Sequence, residues 1–298
     1  PAPSSPVEAV AAADRALAGS PAGPRLLVVT AASNVTGEVW PLAELAAVAR
    51  RHGARIAVDA AQLVPHRPLD MAGLGLDYVA FSGHKLYAPF GAGVLAGRSD
   101  WLRAADPYLK GGGATASVEE HGDRPHWHTD PEARHEAGTP NVLGVLALAA
   151  ACETLTATGW TPLVEREERL LGRLRSGLAR IPGVRELTLW GDRSPRVGIV
   201  SFVVDGWEAR DLALALSDRY GIGVRDGKFC AHPFVRHLLG AADGGASDGG
   251  ASGGEGCADG SGSAVRASFG LGTTDAHIDR LVEAVAALAA ARPRPTDC

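Results

Sequence analysis

Cysteine is scarce in this chain of 298 residues, at four in all. Cys152, Cys230, Cys257 and Cys298 stand far apart and form no C-x-x-C, which argues against a disulfide framework and a four-cysteine zinc site. Reduced thiols in a cytoplasmic compartment fit that usage. Runs of Lys and Arg are missing too, and the net charge is −5 with a pI near 6.1. The electrostatic footprint of a nucleic-acid or anionic-membrane binder is therefore absent. No apolar run reaches the roughly 18 residues that cross a bilayer, and no secretory leader is seen. A Met start is lacking as well: the chain opens on Pro1, as a fragment or a processed or trimmed product would. What is present, 46% apolar and 21% charged residues, is the composition of a globular protein with room for two domains and a small-molecule substrate.

Residues 25–97 alternate in the way that builds a parallel sheet covered by helices. The runs 25–30, 55–59 and 77–81 read as buried strands, and 92–97 as a fourth that pairs antiparallel after a Gly-rich turn. Pro41 and Gly53 bracket a helix over 41–53. Residues 142–158 and 161–180 read as two further helices, the second with its charge on an outer face. Beyond them come strands at 196–205, 222–227 and 264–270, a helix at 208–221 and a closing helix at 274–291. The predicted architecture is α/β. A mainly parallel sheet flanked by helices occupies residues 1–155, and a smaller C-terminal α+β domain occupies 156–298. Residues 241–263, almost all Gly, Ala, Ser and Asp, bury too little to offset the entropy of ordering and are predicted to be a mobile loop.

In open α/β sheets ligands bind beyond the carboxyl ends of the strands. Two such ends carry Asp59 and the run Ser82-Gly83-His84-Lys85. A lone strand-end Asp is as readily a helix cap. Paired with a Lys at the next strand mouth, it matches what pyridoxal 5'-phosphate (PLP) chemistry needs: an amine for a Schiff base and a carboxylate that keeps the pyridine nitrogen protonated. His84 beside the Lys could stack, hydrogen-bond or move protons near neutral pH.

With these motifs on the page, the chain resembles the class V aminotransferase group of fold-type I PLP-dependent enzymes, and most of all its cysteine desulfurase and selenocysteine lyase branch. The resemblance rests on "VTAASNVTGEVWPLAELAAVARRHGARIAVDAAQ", "LDYVAFSGHKLYAPFGAGVL", "RHEAGTPN", "VRDGKFCAHP" and "VRASFGLGTTDAHIDRLVEAV". It implies that Lys85 forms the Schiff base, Asp59 partners the pyridine nitrogen and Gln62 bonds the phenolic oxygen. Ser82 and His84 are implied as phosphate ligands, and Asn34 as a contact to cofactor and substrate carboxylate. Thr139 is implied to reach the phosphate of a neighbouring subunit, hence a homodimer with shared active sites. Arg266 is implied to grip the substrate α-carboxylate, a task suited to a planar two-pronged donor, and Arg225 lies where a second substrate-binding arginine is found.

Cys230 bears on the reaction. In the desulfurases a Cys in this register attacks the substrate sulfur, giving a persulfide and alanine. Arg225, Lys228 and His232 would favour the thiolate that does so. The plainer reading makes Cys230 a small buried residue. Lys228-Phe229, where the relatives commonly carry His, and the Gly/Ser/Asp-rich insertion both depart from the family pattern. A zinc set of Cys230, His232, His237 and Cys257 is a weaker reading, and His126 and His128 around Trp127 are weaker still. No metal is expected. The family also carries a segment before the counterpart of Pro1, supplying a Gly/Thr turn that cradles the phosphate and a stacking ring; neither is found here. The resulting expectation is a cysteine desulfurase-like enzyme acting on L-cysteine or a related amino acid, with a sulfur-acceptor protein as a further partner. The alternatives are another class V reaction (C–S lyase, selenocysteine lyase, aminotransferase or epimerase) or a non-catalytic truncated remnant.

Overall fold

The structure is a computed structural model that describes residues 2–89, 91–119, 124–191, 194–240 and 262–291. Ser5 starts the first helix, α1 (Pro6–Ala18), by accepting the Glu8 amide at 3.1 Å, with Pro6 at the first position where its missing N–H costs nothing. The β-branched runs then form β1 (Leu26–Thr30), β2 (Arg55–Asp59) and β3 (Tyr78–Ser82), with α2 (Leu42–Arg51) and α3 (Met71–Leu74) as crossovers. Their order is β1-β2-β3-β4, the first three parallel and β4 (Gly93–Gly97) antiparallel to β3. Leu42, Leu45, Ala46, Val48 and Ala49 form one stripe of α2 that packs on Ile56, Val58 and Val79.

After α4 (Ser99–Ala104) comes a hairpin that the composition does not reveal, β5 (Thr115–Val118) with β6 (Pro125–Trp127), and then α5 (Pro131–Arg134). The predicted pair of helices follows as α6 (Val142–Thr158) and α7 (Trp160–Ala179), bent by 86° at the Gly159 break. α6 supplies Leu148 and Leu155 to a cluster with Leu86, while α7 supplies Leu170, Leu174 and Leu178 to the core of the second sheet.

That sheet is antiparallel, in the order β7 (Val184–Glu186), β8 (Ile199–Val204), β10 (Ala264–Ser268), β9 (Arg225–Gly227). It is covered by α7, α8 (Ala209–Tyr220) and α10 (Asp275–Ala290), whose Leu and Val positions form its core. α9 (His232–Gly240) follows the Cys230 turn and was not read from the sequence. The strand predicted over 196–205 starts only at Ile199, because the preceding residues serve the other half of the molecule. Arg196, Val197 and Ile199 meet the loop after β1, where the Arg196 and Glu38 side chains are 1% and 0% exposed and 2.9 Å apart. Gly37 is obligatory in that loop: its φ is +72°, and a Cβ would lie 2.7 Å from the Ile199 carbonyl oxygen. Residues 241–261 of the predicted mobile loop, including Cys257, lie outside the described residues.

Candidate active site

Parallel pairing brings three strand ends to one edge. Thr30 lies level with Asp59, and Asp59 with Ala80, so Ser82 and the turn after it project just beyond the carboxylate. That turn, Gly83–Lys85, is a short 3-10 helix. Gly83 donates to the Ala92 carbonyl at 2.8 Å, so β4 holds the base of the Lys85 turn. Asp59 is exposed, and its Oδ1 accepts the Ala61 amide at 2.9 Å in a local turn rather than capping a helix.

Lys85 is half-buried, and burial pulls its amine below the ordinary lysine pKa. The Asp59 carboxylate opposes that shift, while Arg266 and Arg225 reinforce it, which places all four groups within electrostatic reach. The two arginines come from the second sheet, where Arg266 of β10 pairs in register with Arg225 of β9. The site therefore lies between the two sheets.

Asn34, in the loop after β1, links the halves. Its backbone oxygen accepts Arg266 Nη1 at 2.8 Å, and its Nδ2 donates to the Phe229 carbonyl at 2.8 Å. The Arg266 guanidinium stands 5.2 Å from the centre of the Phe229 ring. Burial also lowers the Arg266 pKa, with Arg225 adding to the effect, and Arg266 Nε is buried without a hydrogen-bond partner. Cys230 is exposed, and Arg225 Nη2 approaches its Sγ at 3.8 Å. Phe229 and Cys230 both have left-handed backbones, at φ +51° and +59°. Such conformations cost roughly 1–2 kcal/mol each outside glycine, so this turn is held by its surroundings.

Ser82 and Gln62 are half-buried beside the strand ends, and His84 is exposed. Thr139 stands exposed in the loop before α6, with no hydrogen bond to the other candidate residues among those described. No group of three or more His, Cys, Asp or Glu side chains could hold a metal ion among the described residues, and His126 instead meets Glu119 at 2.9 Å. The sequence reading missed Phe229 as a structural partner of Arg266. It also missed Tyr87, whose hydroxyl accepts the Leu271 amide at 3.2 Å and ties the Lys85 turn to the second sheet. The positive φ of Tyr87, +62°, has no sequence signal. The only hint for Phe229 was its departure from the family pattern.

The chain matches the family described as Aminotransferase class-V over residues 13–281. It belongs to that family. Among curated class V relatives, it is 42% identical over 211 residues to a cysteine desulfurase of Klebsiella pneumoniae (strain 342), covering 71% of this chain and 50% of the relative. A cysteine desulfurase of Escherichia coli O8 (strain IAI1) is 40% identical over 213 residues, covering 72% and 51%. The chain thus spans about half the length of these relatives.

Solved structures agree on the fold. The E. coli cysteine desulfurase CsdA superposes with a TM-score of 0.73 at 33% identity, covering 88% of this chain and 58% of that one. The apo cysteine desulfurase of Thermococcus onnurineus NA1 gives 0.78 at 29%, covering 95% and 63%. The cystine C–S lyase C-DES in complex with cysteine persulfide gives 0.70 at 26%, covering 93% and 64%. The fold is that of the fold-type I PLP enzymes, and the donor set fits the cofactor: a half-buried amine within electrostatic reach of a carboxylate and of an arginine with an unsatisfied buried donor.

Proposed function

We propose that this chain is a large part of a PLP-dependent cysteine desulfurase, converting L-cysteine to L-alanine with the sulfur passed to Cys230. The observation that carries this reading is the meeting of Lys85, Asp59, Arg225 and Arg266 between the sheets, with the Cys230 thiol 3.8 Å from Arg225. Lys85, Asp59, Gln62, Ser82 and His84 would hold the cofactor, with Thr139 contributed to the neighbouring subunit's site. When bound, PLP supplies an electron sink for the substrate α-carbon.

The residues of the chain do the rest. Arg266, oriented by Asn34, binds the substrate carboxylate through paired N–H donors, and Arg225 adds a second cation. Lys85 Nζ, with its pKa lowered by burial, is closer to the neutral form that accepts the α-proton. Cys230 Sγ attacks the substrate sulfur. The carbon–sulfur bond breaks, a sulfur–sulfur bond forms, and the carbon takes up a proton, so one cysteine and one thiol give alanine and a persulfide. Exposure of Cys230 leaves that persulfide open to an acceptor protein. A homodimer is supported by the apolar face of α6, where Leu143 is 80% and Leu146 62% exposed. Light scattering tests it, and a monomer at micromolar concentration overturns it. Among the described residues the thiols of Cys152 and Cys230 are free, which supports a cytoplasmic location.

A second reading, direct C–S lysis, is favoured by the likeness to the cystine lyase. Incubation of the chain with PLP, then L-cysteine, with alanine and sulfide measured, separates the readings. Desulfuration by way of Cys230 requires that Cys230→Ala lose sulfide release. Unchanged sulfide from that variant points to lysis, and a chain with no borohydride-sensitive visible absorbance supports neither.

A further inference from the structure

Phe229 sits at a junction. Its ring, 3% exposed, packs with Val35, Leu187, Val235 and Leu238 in a small core beneath the second sheet. Its carbonyl accepts Asn34 Nδ2, and the same Asn34 holds Arg266 through its backbone oxygen. The Arg266 guanidinium closes the triangle over the Phe229 ring at 5.2 Å. The next residue is Cys230, and both occupy left-handed backbone that an unanchored chain would leave. Below the turn, the Lys228 carbonyl accepts the Ala231 amide at 2.8 Å, and α9 begins at His232.

We propose that Phe229 is a positioning residue with two separable effects: its buried ring anchors the turn that presents the Cys230 thiol, and its face steadies the Arg266 guanidinium. One aromatic side chain thereby fixes the distance between the thiol and the cation that orients the substrate. The functional meaning of this coupling rests on the desulfurase reading; the coupling itself does not. A cation over an aromatic face needs the ring, whereas the anchor needs only apolar volume. Leucine keeps the second and loses the first. Alanine loses both.

The test uses the full chain as wild type, Phe229→Leu and Phe229→Ala, without cofactor. Amide hydrogen exchange at residues 229–231 reads the anchor. Phenylglyoxal modification of the Arg266 peptide, scaled to that of the exposed Arg225, reads the cation. Phe229→Leu should leave the exchange unchanged while Arg266 reacts about threefold faster or more, the size expected for one partly buried cation–π contact. Phe229→Ala should raise both, with exchange faster by about tenfold or more as the turn opens locally. Wild-type exchange in Phe229→Ala, or wild-type Arg266 reactivity in Phe229→Leu, overturns the proposal. Neither measurement needs turnover, so a wild-type chain that makes no alanine from cysteine would reject the desulfurase reading and leave this result standing. If turnover is present, Phe229→Leu should raise KM for L-cysteine with little loss of kcat, and an unchanged KM counts against the arginine half of the proposal.

Discussion

At the scale of single residues, Lys85 carries the sharpest consequence. Its folded pKa lies below the ordinary value of 10.5 because burial disfavours the ammonium. A charged amine therefore costs stability, in full below the folded pKa and progressively less as the pH rises from there to 10.5. Lys85→Met should raise the stability measured in urea at neutral pH by under about 1 kcal/mol after solvent screening, with the gain gone at strongly alkaline pH. A loss of stability at neutral pH would contradict the assignment. Lys85 and Asp59 were legible in the sequence because strand ends in an α/β sheet face a common edge. Cys230 was legible only by resemblance. Its left-handed turn and the Arg225 approach were not, since neither Phe nor Cys signals a positive φ. The Asn34 link was likewise hidden, because it joins groups 195 and 232 residues apart in the chain.

At the scale of elements, the loop after β1 does most to place the site. Gly37→Ala would set a Cβ 2.7 Å and 2.9 Å from two backbone oxygens, on top of its positive φ. It should cost more than about 2 kcal/mol in urea melts. Gly53 shares the positive φ but has open space around it, so Gly53→Ala should cost only about 1 kcal/mol. Equal costs for the two would mean that the loop and β8 approach less closely than the structure shows. Helix starts carry a smaller, local term. Asn141 caps α6 by accepting the Gly144 amide at 3.0 Å, and Asn141→Ala should lower stability by about 1 kcal/mol. Long elements were legible from their periodicity and from Pro41 and Gly53. The hairpin β5–β6, β7 and α9 were not: the three strands are only three or four residues long, and α9 packs on Val35 and Leu187, which lie elsewhere in the chain.

At the scale of the whole molecule, the two sheets are held together by a buried polar clamp. Glu38 accepts the Leu189 and Trp190 amides and the Arg196 guanidinium, while Arg196 also donates to the Thr36 and Gly191 carbonyls. On the other flank, Arg67 meets Glu167 at 2.5 Å and the Arg196 carbonyl at 3.0 Å. Glu38→Ala leaves the buried guanidinium with Glu186 alone, at 3.3 Å, strips the Leu189 and Trp190 amides of their acceptor, and should cost about 3 kcal/mol. Because the clamp spans the sheets, its loss should also split the denaturant transition in two, read by Trp fluorescence and far-UV circular dichroism together. Coincident transitions with an unchanged midpoint would show that the sheets are coupled by other contacts. The amino-acid sequence alone determined the strands of the first sheet, the Lys and Asp at their mouths and the class V resemblance, because local periodicity and short motifs act over a few residues. Only the tertiary structure decided that the arginines, the thiol and the lysine come near one another, because they do so only where two separately formed sheets meet at Asn34, Gly37 and Glu38.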